Sequence, residues 1–195
     1  SNIEIFSFYE IGFIQGKNKK TLTDAVLIDK FKNLENVPEK MEIAYKISDV
    51  LDNFIKGEES DNNIYDLLNY TFDKLNNIKS INIQELIYPY FLWNFIFAIG
   101  YGPELSKCSV CGKELDPNNL YFSNKEGGVI CKNCSIIKKD GLKVTSDTIK
   151  VLRIILKNPS VGAWDMLSKL KIEASLKKDL HNVSESYYAY LLNSF

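Results

Sequence analysis

The sequence has 195 residues, of which 45% are hydrophobic and 25% charged, with a formal net charge of −1. That length buries a real core, and that composition excludes a disordered tail or a fibrous chain. Near-neutral charge excludes a strongly basic protein that coats nucleic acid by charge alone.

The longest apolar run, Leu86 to Ile99, spans 14 residues and is interrupted by Pro89 and Asn94. It reads as a buried helix and not a membrane span, so no membrane partner is expected. No secretory signal is visible. The chain opens Ser-Asn without a Met, which reads as a piece of a longer protein. Lysines number 23 against one arginine, Arg153, and one histidine, His181. Arginine is the residue of bidentate phosphate and guanine recognition, so tight base readout is not expected. Residues 1–100 carry a net −5 and residues 101–195 a net +4, which places any polyanion contact in the second half.

In chain order, Ile3 to Tyr9 is β-like and a second run, Ile11 to Gln15, precedes a Lys-Asn turn at residues 16–20. Two strands alone do not make a stable sheet, so they pack on helices or are the remnant of a larger β domain. From Thr21 the period reads as helical. Thr21 and Asp24 resemble a capping box, and Ala25, Ile28, Phe31 and Leu34 share a face. Pro38 suits the first turn of the next helix, whose stripe runs Met41, Ile43, Ala44, Ile47, Val50, Leu51, Phe54 and Ile55 and stops at Gly57. Ile64, Leu67, Leu68, Phe72 and Leu75 mark a third helix. The fourth, about Ile83 to Ile99, is apolar nearly all round and reads as the central core helix, kinked at Pro89 and stopped by Gly100 and Pro103. Ser146 caps another, with Ile149, Leu152, Ile155 and Leu156, broken at Asn158-Pro159. The last, roughly Glu173 to Leu192, aligns Leu176, Leu180, Val183, Tyr187 and Leu191. No internal repeat appears.

All four cysteines fall into Cys108-Ser-Val-Cys111 and Cys131-Lys-Asn-Cys134, separated by 19 residues. Two residues between cysteines let both thiolates of a knuckle reach one ion at about 2.3 Å, and two knuckles complete a tetrahedron. Gly112 follows the first knuckle, where a tight turn calls for positive φ. Residues 120–122 and 128–130 can pair as a hairpin turning through Asn124 to Gly127, giving a zinc-ribbon-like finger with structural Zn²⁺. Two disulfides need an oxidising compartment, and a thioredoxin-like pair needs a βαβ context. An iron–sulfur or rubredoxin-like centre uses similar spacing, so zinc against iron stays open. Residues 101–145 carry a net +2, and four thiolates with one Zn²⁺ bring the finger to about neutral. Lys113, Lys125, Lys132, Lys138 and Lys139 are candidate phosphate contacts, against the plainer reading of solvated lysines.

Other signals fail. Gly12 to Asn18 has three residues between its glycines where a phosphate loop has four, and Asn where Ser or Thr belongs. His181 lacks a Cys or Ser partner. Trp93, Trp164 and Tyr187, Tyr188 and Tyr190 read as packing residues before base-stacking platforms. No nucleophile elbow, metalloprotease or dinucleotide fingerprint is present, and no catalytic residue is expected.

Residues 91–134 carry something more specific. Phe91-Leu-Trp-Asn-Phe-Ile-Phe-Ala-Ile-Gly-Tyr-Gly-Pro-Glu-Leu105, then Lys107-Cys-Ser-Val-Cys-Gly112, then Gly127-Gly-Val-Ile-Cys131, resembles the RecO family of bacterial recombination mediators. The resemblance joins a helix end, a turn and both knuckles in order, and extends more weakly over residues 3–195. It implies a non-enzymatic DNA-repair and recombination protein of the RecF pathway, cytoplasmic and nucleoid-associated. Such a protein binds and anneals single- and double-stranded DNA, mainly through an N-terminal OB-fold. It joins RecR, recognises the acidic C-terminal tail of single-stranded-DNA-binding protein, and helps load RecA. The tail's pocket should be apolar with lysines at the rim. An OB-fold is a five-stranded barrel, and only about two strands precede the first expected helix here. Weak or no DNA binding is therefore expected of the chain by itself.

The expected architecture is mainly α: a bundle-like helical domain at 21–105 and 145–195, a four-cysteine zinc-ribbon-like insert at 106–144, and an OB-fold β remnant at 3–20. Two other readings stand beside the mediator: a structural zinc-ribbon scaffold of another nucleic-acid complex, and a fragment of an enzyme whose active site lies elsewhere.

Overall fold

A computed structural model of the chain describes residues 3–17, 19–56, 61–157 and 162–194. Strand β1 (Ser7–Gln15) pairs antiparallel with strand β2 (Lys20–Lys30), from Ser7 opposite Lys30 to Gln15 opposite Lys20. The two expected runs, 3–9 and 11–15, are thus one strand. The helix expected from Thr21 is also a strand, and helical structure begins only after Phe31. The reason lies in β1. Its free backbone groups are satisfied across a short turn by the β-branched Thr21, Thr23, Val26 and Ile28. Register shifts between Phe8 and Tyr9 and between Gly12 and Phe13 break the two-residue period that would have signalled a strand. Gly12 lies within β1 opposite Asp24. Asn18 of the expected turn lies outside the described residues; Gly16 N–H donates to the Lys19 carbonyl at 2.9 Å.

Phe6 and Phe8 anchor the hairpin. Phe6 meets Tyr45 and Phe72 edge-on, and Phe8 meets Phe31 and Tyr65. Beyond these anchors Ile11, Phe13, Ile14, Leu22, Val26, Leu27 and Ile28 are exposed.

A short helix α1 (Lys32–Glu35) leads to α2 (Pro38–Phe54), which has Pro38 in its first turn and buries Ala44, Ile47 and Val50. Ile55, placed in the stripe by its spacing, is the C-cap residue and is exposed; Gly57 lies outside the described residues. Helix α3 (Asn62–Asn77) is capped by Asp61, whose Oδ1 accepts from the backbone of Asn63 (2.8 Å) and Ile64 (3.2 Å). The expected helix from Ile83 to Ile99 is two pieces, α4 (Ile81–Gln84) and α5 (Ile87–Ala98). Pro89 therefore kinks nothing. It is the third residue of α5, where backbone N–H groups have no intrahelical partner to lose. Gly100, at φ +89°, ends α5: its N–H reaches the Phe97 carbonyl at 3.0 Å and that of Tyr101 reaches Ile96 at 2.9 Å.

The finger follows. Strands β3 (Leu120–Ser123) and β4 (Gly128–Cys131) form the expected hairpin, Leu120 facing Cys131. Helix α6 (Lys132–Lys138) and strand β5 (Leu142–Val144), neither of them expected, complete a sheet of order β4-β3-β5. Then come α7 (Ser146–Lys157), α8 (Gly162–Leu167) and α9 (Ala174–Leu192). Thr145, one residue before the expected Ser146, caps α7: its Oγ1 accepts from Thr148 N–H at 3.2 Å. The Asn158-Pro159 break lies outside the described residues.

Helix α5 is buried continuously from Ile87 to Ile96, with α2 and α3 and with α7 and α9 packed around it. Its Trp93 stacks on Tyr187 of α9 with ring centroids 5.5 Å apart, and Phe122 of β3 meets both rings edge-on at 5.7 and 5.4 Å. Leu120, Phe122, Val129 and Val144 of the finger thereby join the same core as the helices. Among the described residues, no helix is long and apolar enough to cross a membrane.

Candidate metal centre

Each knuckle is shaped by its backbone. In the first, Cys108 N–H donates to the Lys113 carbonyl and Gly112 N–H to that of Cys108, both at 2.9 Å. Gly112 sits at φ +69°, the left-handed conformation that glycine adopts without a Cβ penalty. The second knuckle is a strand end fused to a helix start. Cys131 closes β4 and stands at the N-cap of α6, and Cys134 lies three residues on, on the same helix face. Ser109 binds the two knuckles together, its N–H and Oγ donating to the Val129 carbonyl at 2.9 and 3.2 Å. Beneath them the Glu104 N–H donates to the Gly127 carbonyl at 2.9 Å and the Val129 N–H to the Glu104 carbonyl at 2.8 Å, and a Cβ on Gly128 would collide with the Glu104 backbone, so that position takes only glycine.

The four Sγ atoms lie within 4.8 Å of one another, and none is in a disulfide. A tetrahedron with arms of about 2.3 Å has edges of about 3.8 Å; Cys111 and Cys131 Sγ are 3.9 Å apart. The cluster therefore has the size and the donor set of a four-thiolate metal site. Its burial is uneven: Cys108 and Cys134 are buried, Cys131 is intermediate and Cys111 exposed.

The electrostatics differ from thiol to thiol. Burial pushes the Cys108 thiol up, but backbone N–H groups of Cys111, Cys131 and Val110 around its sulfur outweigh this and bring it down to about 6. Burial, with hydrogen bonds to the other three sulfurs, pushes Cys134 up to about 12. Four thiolates at this spacing repel, and only a shared positive ion lets all of them ionise together.

The five candidate lysines are all exposed on the finger. Lys113 follows the first knuckle, Lys132 lies between Cys131 and Cys134, and Lys125 lies in the hairpin turn. Lys138 pairs with Glu126 at 2.9 Å, and Lys139 ends α6 in a left-handed conformation, φ +51°. Trp93, Trp164 and Tyr187 are buried packing residues, whereas Tyr190 is exposed; His181 is exposed, 4.0 Å from Glu185.

Two features escaped the sequence. Arg153 is spent on the backbone: its Nε donates to the Leu105 carbonyl at 3.0 Å and its Nη2 to the same oxygen, fastening α7 to the foot of the finger. No motif marks a residue whose role is to satisfy one carbonyl. The second is a groove of about 440 Å³ between α2, the start of α5 and α9. Ile43, Leu86, Pro89 and Leu180 line it, with Lys46, Lys178 and His181 beside them, and Lys177 pairs with Glu85 at 2.7 Å. Its walls come from segments far apart in sequence, so no local pattern announces it.

Residues 36–194 match the family model described as Recombination protein O C terminal. The protein named DNA repair protein RecO in Dehalococcoides mccartyi strain BAV1 is 30% identical over 179 residues, covering 92% of this chain and 68% of the relative. The protein of that name in Desulforamulus reducens is 28% identical over 192 residues, covering 97% and 71%. In Caldanaerobacter subterraneus the figure is 25% over 174 residues, covering 89% and 67%. With most of its length matched by the family model, and a 30%-identical relative spanned over two thirds of its own length, the chain belongs to the Recombination protein O family.

Proposed function

We propose that this chain is the helical and finger-bearing part of a bacterial DNA-repair mediator that works by binding, without covalent catalysis. The observation that carries the reading is the family match over residues 36–194, which includes the four clustered thiols. Its relatives carry the name DNA repair protein. The finger holds a structural Zn²⁺ through Cys108, Cys111, Cys131 and Cys134; their donor set and spacing support zinc. Bound there, the ion would tie the first knuckle to the start of α6.

The wider assembly follows the family pattern. The hairpin β1–β2 belongs to an OB-fold barrel, a reading supported by the apolar side chains it leaves in solvent. DNA is held mainly by that barrel, with Lys113, Lys125, Lys132 and Lys139 as auxiliary phosphate contacts and Lys138 weakened by its pairing with Glu126. The partners are RecR and the acidic tail of single-stranded-DNA-binding protein, and the outcome is RecA loading. The groove bounded by Ile43, Leu86, Pro89 and Leu180 has the apolar lining that such a tail's terminal residues require; on its mixed border Lys46 pairs with Glu42 and Lys177 with Glu85, which leaves Lys178 as the cation assigned to the tail.

The test is a fluorescence titration of the chain with a peptide copying that tail, alongside a control lacking the terminal Phe. Saturable binding that vanishes with the control, and that is weakened by Lys178→Glu, supports the groove assignment. Equal binding of both peptides refutes it. Elemental analysis of the purified chain decides the metal: about one zinc per chain supports the finger reading.

A further inference from the structure

The uneven burial of the four sulfurs has a chemical consequence. In a symmetric site all four thiolates meet solvent alike; here two are sealed and two are not. Cys108 is buried, and the Cys131 N–H lies on its sulfur at 3.4 Å. Cys134 is buried on the inner face of α6. Cys111, on the outer turn of the first knuckle, is exposed, and the sulfur 3.9 Å from it belongs to Cys131, on the opposite knuckle. Reaction of a thiolate follows its exposure and the presence of a resolving partner.

We infer that Cys111 and Cys131 form an oxidisable pair, Cys111 the sulfur attacked and Cys131 the resolving one, so that a hydroperoxide converts the finger to a metal-free, cross-linked state. This rests on the metal-site reading above. The Cys111 thiolate attacks one peroxide oxygen, breaking the O–O bond to give a sulfenic acid and a hydroxide. The Cys131 thiolate then attacks the Cys111 sulfur, forming the S–S bond and expelling a second hydroxide. Two solvent protons turn both hydroxides into water. The two sulfurs lose two electrons and the peroxide gains them. The sulfurs close from 3.9 Å to a bond of about 2.05 Å, a movement confined to the outer edge of the site. An ion left with two of its four ligands is released.

The fold tolerates this state because the finger does not hang on the ion alone. Phe122 is seated between Trp93 and Tyr187, and Leu120, Val129 and Val144 share the helical core. Oxidation therefore alters the outer turn and the start of α6, where Lys113 and Lys132 lie, while the sheet stays in place.

The experiment treats the zinc-loaded chain with hydrogen peroxide, follows released zinc with a chromogenic chelator, and counts free thiols. Trypsin then separates Cys131 from Cys134 at Lys132, and fragmentation of the peptide 108–113 distinguishes Cys111 from Cys108. The expected result is zinc release, a fall from four free thiols to two, a Cys111–Cys131 link, and far-UV circular dichroism little changed. In Cys111→Ser, which has already lost one metal ligand, the readout is the thiol count alone: the peroxide-dependent cross-link to Cys131 should be lost. Release with a link between any other pair, or zinc and all four thiols retained at about 1 mM peroxide, overturns the inference while leaving the metal site intact. A purified chain that binds no zinc at all overturns the metal reading and this inference with it. The wild-type link map decides the matter even where a serine variant fails to hold metal.

Discussion

Replacing Phe122 with alanine tests whether the finger sheet is structurally part of the helical core. Phe122 is 2% exposed and its ring edge meets both Trp93 and Tyr187, so truncation opens a hole where β3, α5 and α9 converge. Phe→Ala changes in cores cost about 3–5 kcal/mol, and the two lost ring contacts argue for the upper part of that range. For a chain of 150–250 residues each kcal/mol lowers Tm by about 2–4 °C, so helix melting should fall by about 6–20 °C. The assay is thermal and urea unfolding followed both by far-UV circular dichroism and by tryptophan fluorescence, with Trp93 reporting from the cavity wall. The two probes should shift together. Helix unfolding unchanged within about 0.5 kcal/mol, with only the finger loosened, would refute the shared core and make the finger an autonomous insert.

Further expectations follow from the same geometry. Cys131→Ser should abolish tight zinc binding, read by cobalt substitution spectra, while far-UV circular dichroism keeps most helicity because α5 and its neighbours do not use the ion. Arg153→Met should destabilise the chain by about 1–3 kcal/mol in urea titrations, since it strands the Leu105 carbonyl. The same variant should leave low-salt DNA affinity unchanged, whereas Lys132→Ala should reduce the salt slope for single strands by about 0.7 if that lysine meets phosphate. Burial, then the neighbouring Tyr190 and Tyr101, pushes the Tyr187 hydroxyl up to about 12. An unfolded tyrosine ionises near pH 10, so the unfolded chain sheds its proton first. Stability should be full below about pH 10 and fall as pH climbs toward 12, and Tyr187→Phe should flatten that fall in alkaline denaturation curves.

Much of the molecule is legible in short stretches of sequence. The C-x₂-C pairs brought four sulfurs to one point because two intervening residues suffice to shape a knuckle, whatever surrounds it. The α5 segment, apolar on every face, had to lie where protein covers every face, and Ile87 to Ile96 are buried accordingly. Gly100 acts through neighbours within five residues, so its role needed no fold. Where the reading slipped, the deciding partner was distant or the phase was broken. The segment 20–30 carries spacings compatible with a helix, and it became a strand because β1 offered backbone partners and bulges blurred the alternation. Pro89 looked like a kink until the chain paused at residues 85–86 and placed it in a first turn.

Sequence by itself determined the long helices α2, α3, α5, α7 and α9, the four-sulfur cluster and its hairpin, because each depends on periods and spacings of a few residues. Tertiary structure alone decided that β5 joins β3 from beyond α6, that Arg153 serves the Leu105 carbonyl 48 positions away, and that Phe122 enters the core between Trp93 and Tyr187. The burial that separates Cys111 from Cys108 belongs to the same class. These outcomes depend on which surfaces meet after the chain closes on itself, and that is a property of packing between segments and not of any one segment's composition.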